Sequence, residues 1–130
     1  MQRSDSASLS LAQSALSSIL TARGDLQTAE TILSGAKPTP AGEGAGDIEL
    51  ARAEWLLAKN QFQQASEAAK RSAEDFSRTH ESGNAALALL VEANALDMSG
   101  KSGDAKQIAQ EALRTPGLRR SVWRSHGPAC

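Results

Sequence analysis

Apolar and small residues recur along the chain at the three- and four-residue spacing of an α-helix, in segments separated by short polar breaks. Before the first break Ser17 is followed three positions later by Leu20, and after it Ala29 and Leu33 stand four positions apart. Residues at these separations share one face of a helix, and such a face packs against a neighbouring element. The pattern therefore predicts pairs of amphipathic helices.

The breaks recur in a shared register. They lie 36 and then 40 residues apart, at Gly24, Asn60 and Gly100. An alanine follows each break by five residues, at Ala29, Ala65 and Ala105. Gly and Asn adopt the left-handed conformation that closes many helices, and a small side chain early in the second helix lets two helices approach closely. Because two markers keep the same spacing, we predict three helix–turn–helix hairpins.

This register resembles the tetratricopeptide (TPR) repeat, a helical hairpin with a small residue in its first helix, Gly near the turn and Ala in the second helix. The small first-helix positions here are Ser17, Ala53 and Ala93. Leucine stands where the family usually has tyrosine, at Leu20, Leu56 and Leu96. Both intervals also exceed the usual repeat length of about 34 residues. The resemblance implies an all-α fold, an α-solenoid of three antiparallel hairpins wound as a right-handed superhelix.

We expect a single domain over residues 1–130, with repeats at about 9–37, 47–80 and 83–116. Between the first two repeats, residues 35–46 contain four Gly and two Pro, a composition that cannot continue a helix and predicts a mobile linker. After Pro116, Leu118 and Val122 share a helical face. A short capping helix is predicted at 118–124, because the last repeat of a solenoid leaves an apolar face to cover.

Composition narrows the functional classes. The 130 residues include 14 Lys and Arg against 15 Asp and Glu, and this net charge of -1 argues against a dedicated nucleic-acid binder, which must neutralise many phosphates. The single cysteine excludes an intramolecular disulfide framework and a multi-cysteine zinc site. No apolar run approaches the roughly 20 residues of a membrane span, and residues 1–22 lack the continuous apolar core of a secretory signal. We therefore expect a cytoplasmic protein that binds neither nucleic acid nor membrane.

No group of residues indicates catalysis, a metal site or a cofactor. Gly100-Lys101-Ser102 matches the end of a phosphate-binding loop, but the glycine and the strand that should precede it are absent, so an inter-helix turn explains it better. The two histidines, His80 and His126, have no ligand partner at metal-binding spacing.

Other conspicuous residues fit structural roles. Trp55 and Trp123 are expected to pack. Two pairs of opposite charge, four residues apart, are expected to bridge on a solvated helix face: Glu67–Arg71 and Glu74–Arg78. The chain is therefore not expected to be an enzyme.

The TPR resemblance implies that the first helices of the hairpins line a concave groove for a peptide or a partner helix. The partner-binding candidates in the second and third repeats are Leu50, Glu54, Leu57, Leu87, Leu90, Asn94, Asp97 and Met98. Repeat one adds Leu11, Ser14 and Ser18. Asn94 stands where the family commonly hydrogen-bonds a peptide backbone. The alternative, equally open, is that Leu50, Leu87 and Leu90 only pack between hairpins.

One type of ligand is disfavoured. TPR proteins that hold acidic C-terminal tails use Lys, Arg and Asn on the first helices, whereas the corresponding positions here are Ser14, Ser18, Ala51, Leu87 and Val91. Without cations, nothing pairs with a terminal carboxylate. The groove should instead suit an apolar or mildly basic segment.

Three functions follow as expectations. The first is a non-enzymatic module that binds a protein or peptide partner in the groove. The second is a sensor or regulatory segment of a larger bacterial transcription regulator or kinase. The third is self-association through an uncovered end face, which would produce a homo-oligomer.

Overall fold

The computed structural model describes residues 2–39 and 42–114, with residues 2–7 described by their backbone alone. The described part of the chain forms six α-helices and no β-strand, which confirms the all-α prediction. The helices are α1 (Gln2–Ala22), α2 (Leu26–Gly35), α3 (Ala45–Ala58), α4 (Phe62–Arg78), α5 (Ser82–Met98) and α6 (Ser102–Leu113). The predicted capping helix at 118–124 lies outside the described residues, as do Trp123 and His126.

Four three-residue turns close their preceding helices in one way. The central residue has a positive φ, at 86° for Gly24, 61° for Asn60, 60° for His80 and 90° for Gly100. In each turn the backbone N–H of the residue after the central one donates to the carbonyl oxygen of the residue five positions earlier. The N···O distance is 2.8 or 2.9 Å. This pair of features defines the Schellman motif, which satisfies carbonyls at a helix end. The helix breaks predicted at Gly24, Asn60 and Gly100 are therefore confirmed.

The turn between the second and third predicted repeats is centred on His80, which the sequence pattern does not mark as a helix end. It joins α4 to α5, and these two 17-residue helices together with their turns account for the 40-residue interval. Histidine adopts the left-handed conformation less readily than glycine, so it gives a weak sequence signal for a helix end. The longer second interval thus reflects longer helices.

The connection between α2 and α3 is shorter than predicted and packs on α1. Gly35 ends α2 and Ala45 begins α3, and the described residues between them, 36–39 and 42–44, lie outside the helices. Ser10 Oγ on α1 donates to the Lys37 carbonyl at 2.6 Å. A Cβ atom built on Gly44 would lie 2.7 Å from the Cβ of Ser10. The connection is therefore anchored to the first hairpin at both of these points.

Close approach between helices characterises the core. Each helix contacts the next helix along the chain, and α3 also contacts α1 and α5. Among the described residues, fifteen of the nineteen buried apolar side chains are alanine. The largest fully buried side chain is Phe76, which clusters with Ala73, Ala85 and Ala88 between α4 and α5. Small side chains at the contacts allow the helices to pack at short separation.

The surface ion pairs differ from those predicted. Neither predicted pair forms among the described residues: Glu67–Arg71 and Glu74–Arg78. Arg71 instead donates from Nε to Glu49 Oε2 on α3 at 3.2 Å, and Arg78 bonds Asp75 Oδ1 at 3.1 Å. The contact between α3 and α4 brings Glu49 to Arg71, whereas Asp75 shares a helix face with Arg78.

None of the helices in the described ranges combines the length and the apolar character needed to cross a membrane.

Candidate partner-binding surfaces

One residue from each of the first helices α1, α3 and α5 occupies the same register on the predicted groove. Glu54 follows Ser18 by 36 residues, and Asn94 follows Glu54 by 40. Ser18 Oγ on α1 donates to the Glu54 carboxylate on α3 at 2.7 Å. Asn94 on α5 is exposed. Because α3 contacts both α1 and α5, these three polar side chains occupy equivalent positions along adjacent helices.

Three of the predicted groove leucines pack between helices. Leu50 packs against the buried cluster between α4 and α5, and Leu57 packs against the cluster shared by α3, α4 and α5. Leu90 packs against the buried cluster that Ala86 on α5 forms with Ala112 on α6. The packing alternative therefore describes Leu50 and Leu90, whereas Leu87 is exposed.

The remaining predicted groove positions divide between exposed and structural side chains. Met98 is exposed, as Leu87 and Asn94 are. Asp97 is exposed and accepts a hydrogen bond from Ser102 Oγ at 3.2 Å, across the α5–α6 turn. Ser14 is buried and donates to the Ser10 carbonyl at 2.8 Å, so it serves helix packing rather than a groove.

An acidic recess of about 440 Å³ lies beside the predicted groove position Leu11. Asp47 at the start of α3, Glu81 in the α4–α5 turn and the neighbouring Asn84 line it. Burial raises the pKa of Asp47, and the nearby negative charge of Glu81 raises that pKa further, against a smaller lowering by a backbone hydrogen bond. The recess therefore favours a cationic or hydrogen-bond-donating group over an anion.

The outer face of α1 carries an exposed apolar stripe. Leu9, Leu16 and Ile19 are 59%, 48% and 52% exposed, and Ala12 lies between them on the same helix face. No charged residue occurs in the chain from Ser6 to Ala22. We call Leu9, Ala12, Leu16 and Ile19 the α1 stripe. Large exposed apolar side chains that share a face mark an interaction surface.

The α1 stripe occupies the register by which later first helices pack onto the hairpin before them. In α5 the equivalent residues are all buried: Ala85, Ala88, Glu92 and Ala95. In α3 the equivalent Ile48 is buried, and Trp55 Nε1 donates to the Leu26 carbonyl of α2 at 2.8 Å. The stripe is therefore exposed at positions whose counterparts are buried in α5 and, at Ile48, in α3. Its signal in the sequence is the long uncharged run.

Two residues weighed for chemistry have structural roles. Trp55 binds the backbone of α2, and the Lys59 ammonium lies 4.6 Å from the centre of its ring. Lys101 lies in the α5–α6 turn, and its Nζ donates to Gln63 Oε1 at 3.2 Å. Within the described ranges, no group of three His, Cys, Asp or Glu side chains could hold a metal ion.

No family model, no curated protein and no solved structure matches the chain. Function is therefore inferred from the chain's own residues.

Proposed function

We propose that the chain is a TPR-like α-solenoid of three hairpins that acts as a non-enzymatic protein-interaction module. Two features support this proposal: the repeated Schellman turns, and the contacts of α3 with both α1 and α5. In a solenoid each repeat contacts only its neighbours. Consistent with this arrangement, α1 and α5 do not touch within the described part of the chain.

The α1 stripe is the observation that carries the proposal. An isolated surface helix of a globular protein normally presents charged or polar residues to water. Here Leu9, Leu16 and Ile19 are exposed along the part of α1, from Ser6 to Ala22, that carries no charged residue, in the register of a stacking face. The partner that fits this face presents an apolar helix surface without charged residues at its centre.

The predicted groove is a second candidate surface. Leu87, Asn94 and Met98 are exposed on α5, and the acidic recess lies at Leu11. These features suit an apolar or mildly basic segment, because the carboxylates of the recess attract cationic groups. The two surfaces lie on different sides of α1, so single-helix variants separate them.

Comparative capture of partners from cell extract tests the proposal. The Leu16→Asp/Ile19→Asp double variant should lose at least about tenfold of the partner bound by the native chain, because charged groups cannot be buried at the centre of an apolar contact. Leu11→Asp is the matched control, an exposed leucine on the same helix at the groove side. Circular dichroism of both variants checks that the helical signal is intact.

The identity of the lost protein distinguishes the surfaces. A partner retained by Leu11→Asp and lost by the double variant supports the stripe, and the reverse pattern supports the groove. Capture of the same proteins in equal amounts by all three chains would refute both surfaces.

Self-association through the α1 stripe is a second candidate function, favoured by the absence of charge on that face. Light scattering over a range of concentrations should then show a mass that rises toward a dimer for the native chain, while the double variant stays monomeric. A constant monomer mass for both would exclude a second copy as the occupant.

A further inference from the structure

A cleft of about 530 Å³ lies on the side of the molecule formed by the second helices. Its floor is α5 and its walls are α4 and α6, which do not contact each other within the described residues. Ala73, Leu89 and Ile108 supply apolar lining. The volume lies within the range of about 300–1,000 Å³ that is typical of small-ligand sites.

Glu92 on α5 is a buried carboxylate in this cleft. The residue is only 8% exposed, and its Oε1 atom is buried with no hydrogen-bond partner among the described residues. Burial is the largest influence on the pKa of Glu92 and raises it. The positive charge of Lys70 lowers this pKa, whereas the negative charges of Glu111 and Glu74 raise it. A buried carboxylate oxygen without a donor costs free energy that a bound cation can recover.

Neither cation that lines the cleft forms an ion pair with Glu92. Glu74, Glu92 and Glu111 line the cleft together with Lys70 and Arg78. Arg78 bonds Asp75, which leaves Lys70 as the lining cation that acts on Glu92. Lys70 does not lie within ion-pair distance of Glu92. The cleft therefore presents a buried carboxylate oxygen with which none of its lining cations pairs.

We propose that the cleft binds an alkylguanidinium group, with Glu92 as its principal carboxylate and with Leu89 and Ile108 packing against the alkyl stem. Guanidinium is more weakly hydrated than ammonium, and it can donate two parallel hydrogen bonds to one carboxylate. The stem of such a group buries its methylenes on apolar surface while its head stays with the acid. An arginine side chain has this chemistry. The proposal does not depend on the α1 stripe or on the groove.

Isothermal titration of the full chain with butylguanidinium tests the site. Butylurea, which has a similar size and no charge, is the comparison probe. Butylguanidinium should bind with one site per chain. Glu92→Gln should weaken that binding by about tenfold or more, since the substitution removes the negative charge and one of the two acceptor oxygens. Equal binding of butylurea, or an unchanged affinity in Glu92→Gln, would overturn the proposal.

Two further variants test the site even if Glu92→Gln changes the fold. Glu74→Gln alters an exposed carboxylate of the cleft and should weaken binding about threefold through loss of charge attraction. Glu67→Gln is its matched control, because Glu67 is exposed on the same helix two turns away and does not line the cleft. Equal losses in Glu74→Gln and Glu67→Gln would contradict a site in the cleft.

A triple variant distinguishes two possible sources of the guanidinium group, the chain itself and a separate molecule. Arg119, Arg120 and Arg124 belong to this chain and lie outside the described residues. Tighter binding of butylguanidinium by Arg119→Gln/Arg120→Gln/Arg124→Gln would assign the site to the chain's own arginines, and equal binding would assign it to a separate molecule. Failure of both chains to bind the probe would refute the site.

Discussion

The backbone of Gly46 packs directly against the ring of Phe76, so closely that a Cβ atom at residue 46 would lie 2.7 Å from a ring carbon. Ser72 Oγ also donates to the Gly46 carbonyl at 2.7 Å. Both partners lie on α4, and together they fix the start of α3 against that helix. A substitution that adds a single methyl group at residue 46 tests this contact.

Gly46→Ala should lower the free energy of unfolding by about 1–3 kcal/mol, because the added methyl group overpacks a buried contact with an aromatic ring. Urea denaturation followed by circular dichroism measures the change. Gly103→Ala is the control, since Gly103 lies in α6 and a Cβ there would meet nothing within 4 Å. Because Gly103 lies in the first turn of α6, alanine there should raise the free energy of unfolding by less than the roughly 1 kcal/mol typical of a helix interior. The same sign for both substitutions would contradict the packing assigned to Gly46.

His80→Gly should stabilise the protein by about 1 kcal/mol, because an L side chain at positive φ is strained and glycine is not. The φ of His80 is 60°, and the residue is exposed, so no buried contact is lost. Asn60 has a φ of 61°. Asn60→Gly should stabilise the protein less than His80→Gly does, because asparagine tolerates this conformation better than histidine does. Thermal unfolding of the three chains ranks them, and a lower midpoint for His80→Gly would contradict a left-handed turn at this residue.

Glu92→Gln should make stability less sensitive to pH. Burial raises the pKa of Glu92 above its ordinary value near 4.5, so the folded state holds this proton more tightly than the unfolded state does. The resulting stabilisation is present below the ordinary pKa and is lost as pH rises through the folded-state pKa. The free energy of unfolding of the variant should therefore exceed that of the native chain by about 1 kcal/mol at neutral pH.

Urea midpoints at several pH values between about 4.5 and 8 check this sign. The advantage of Glu92→Gln should shrink as the pH falls. Glu67→Gln, on an exposed carboxylate, is the control and should follow the native chain. An advantage that grew toward acid pH would contradict a raised pKa.

Trp55→Phe should loosen the first hairpin selectively. It keeps an aromatic ring but removes the donor to the Leu26 carbonyl, a hydrogen bond of 2.8 Å that links α3 to α2. Loss of about 1 kcal/mol there should speed amide exchange in α2 about fivefold. Hydrogen exchange with mass spectrometry measures this, with α6 as the internal control, because α6 contacts only α5 among the described helices. Equal acceleration in α2 and α6 would indicate global rather than local loosening.

Much of the helical arrangement is predictable from local signals. Gly24, Asn60 and Gly100 are residues that suit a left-handed helix end, and each closes a helix. His80 performs the same role without the usual residue type, so the residue that closes this helix is identified only in the structure. Arg71 similarly bonds Glu49, 22 residues away, because tertiary packing and not helix spacing determines which charge is near.

The candidate surfaces are harder to predict from the sequence than the helices are. Apolar periodicity identifies which residues share a helix face but not which neighbouring helix covers that face. Leu87 and Leu90 are both apolar positions of α5, yet Leu90 packs against the buried cluster between α5 and α6 and Leu87 is exposed. Glu92 likewise has no unusual neighbour in the sequence, and its burial follows from the placement of α4 and α6 around α5.

The alanine-rich core has a consequence for the thermodynamics of unfolding. The heat capacity of unfolding rises with the apolar area exposed and falls with the polar area exposed. Fifteen of the nineteen buried apolar side chains in the described ranges are alanine, so unfolding uncovers little hydrocarbon relative to the backbone amides of the six helices. We therefore expect a heat-capacity change below the usual value of about 12–15 cal/mol/K per residue. Stability should then vary only gently with temperature, and cold should weaken this protein less than one with a core of large side chains.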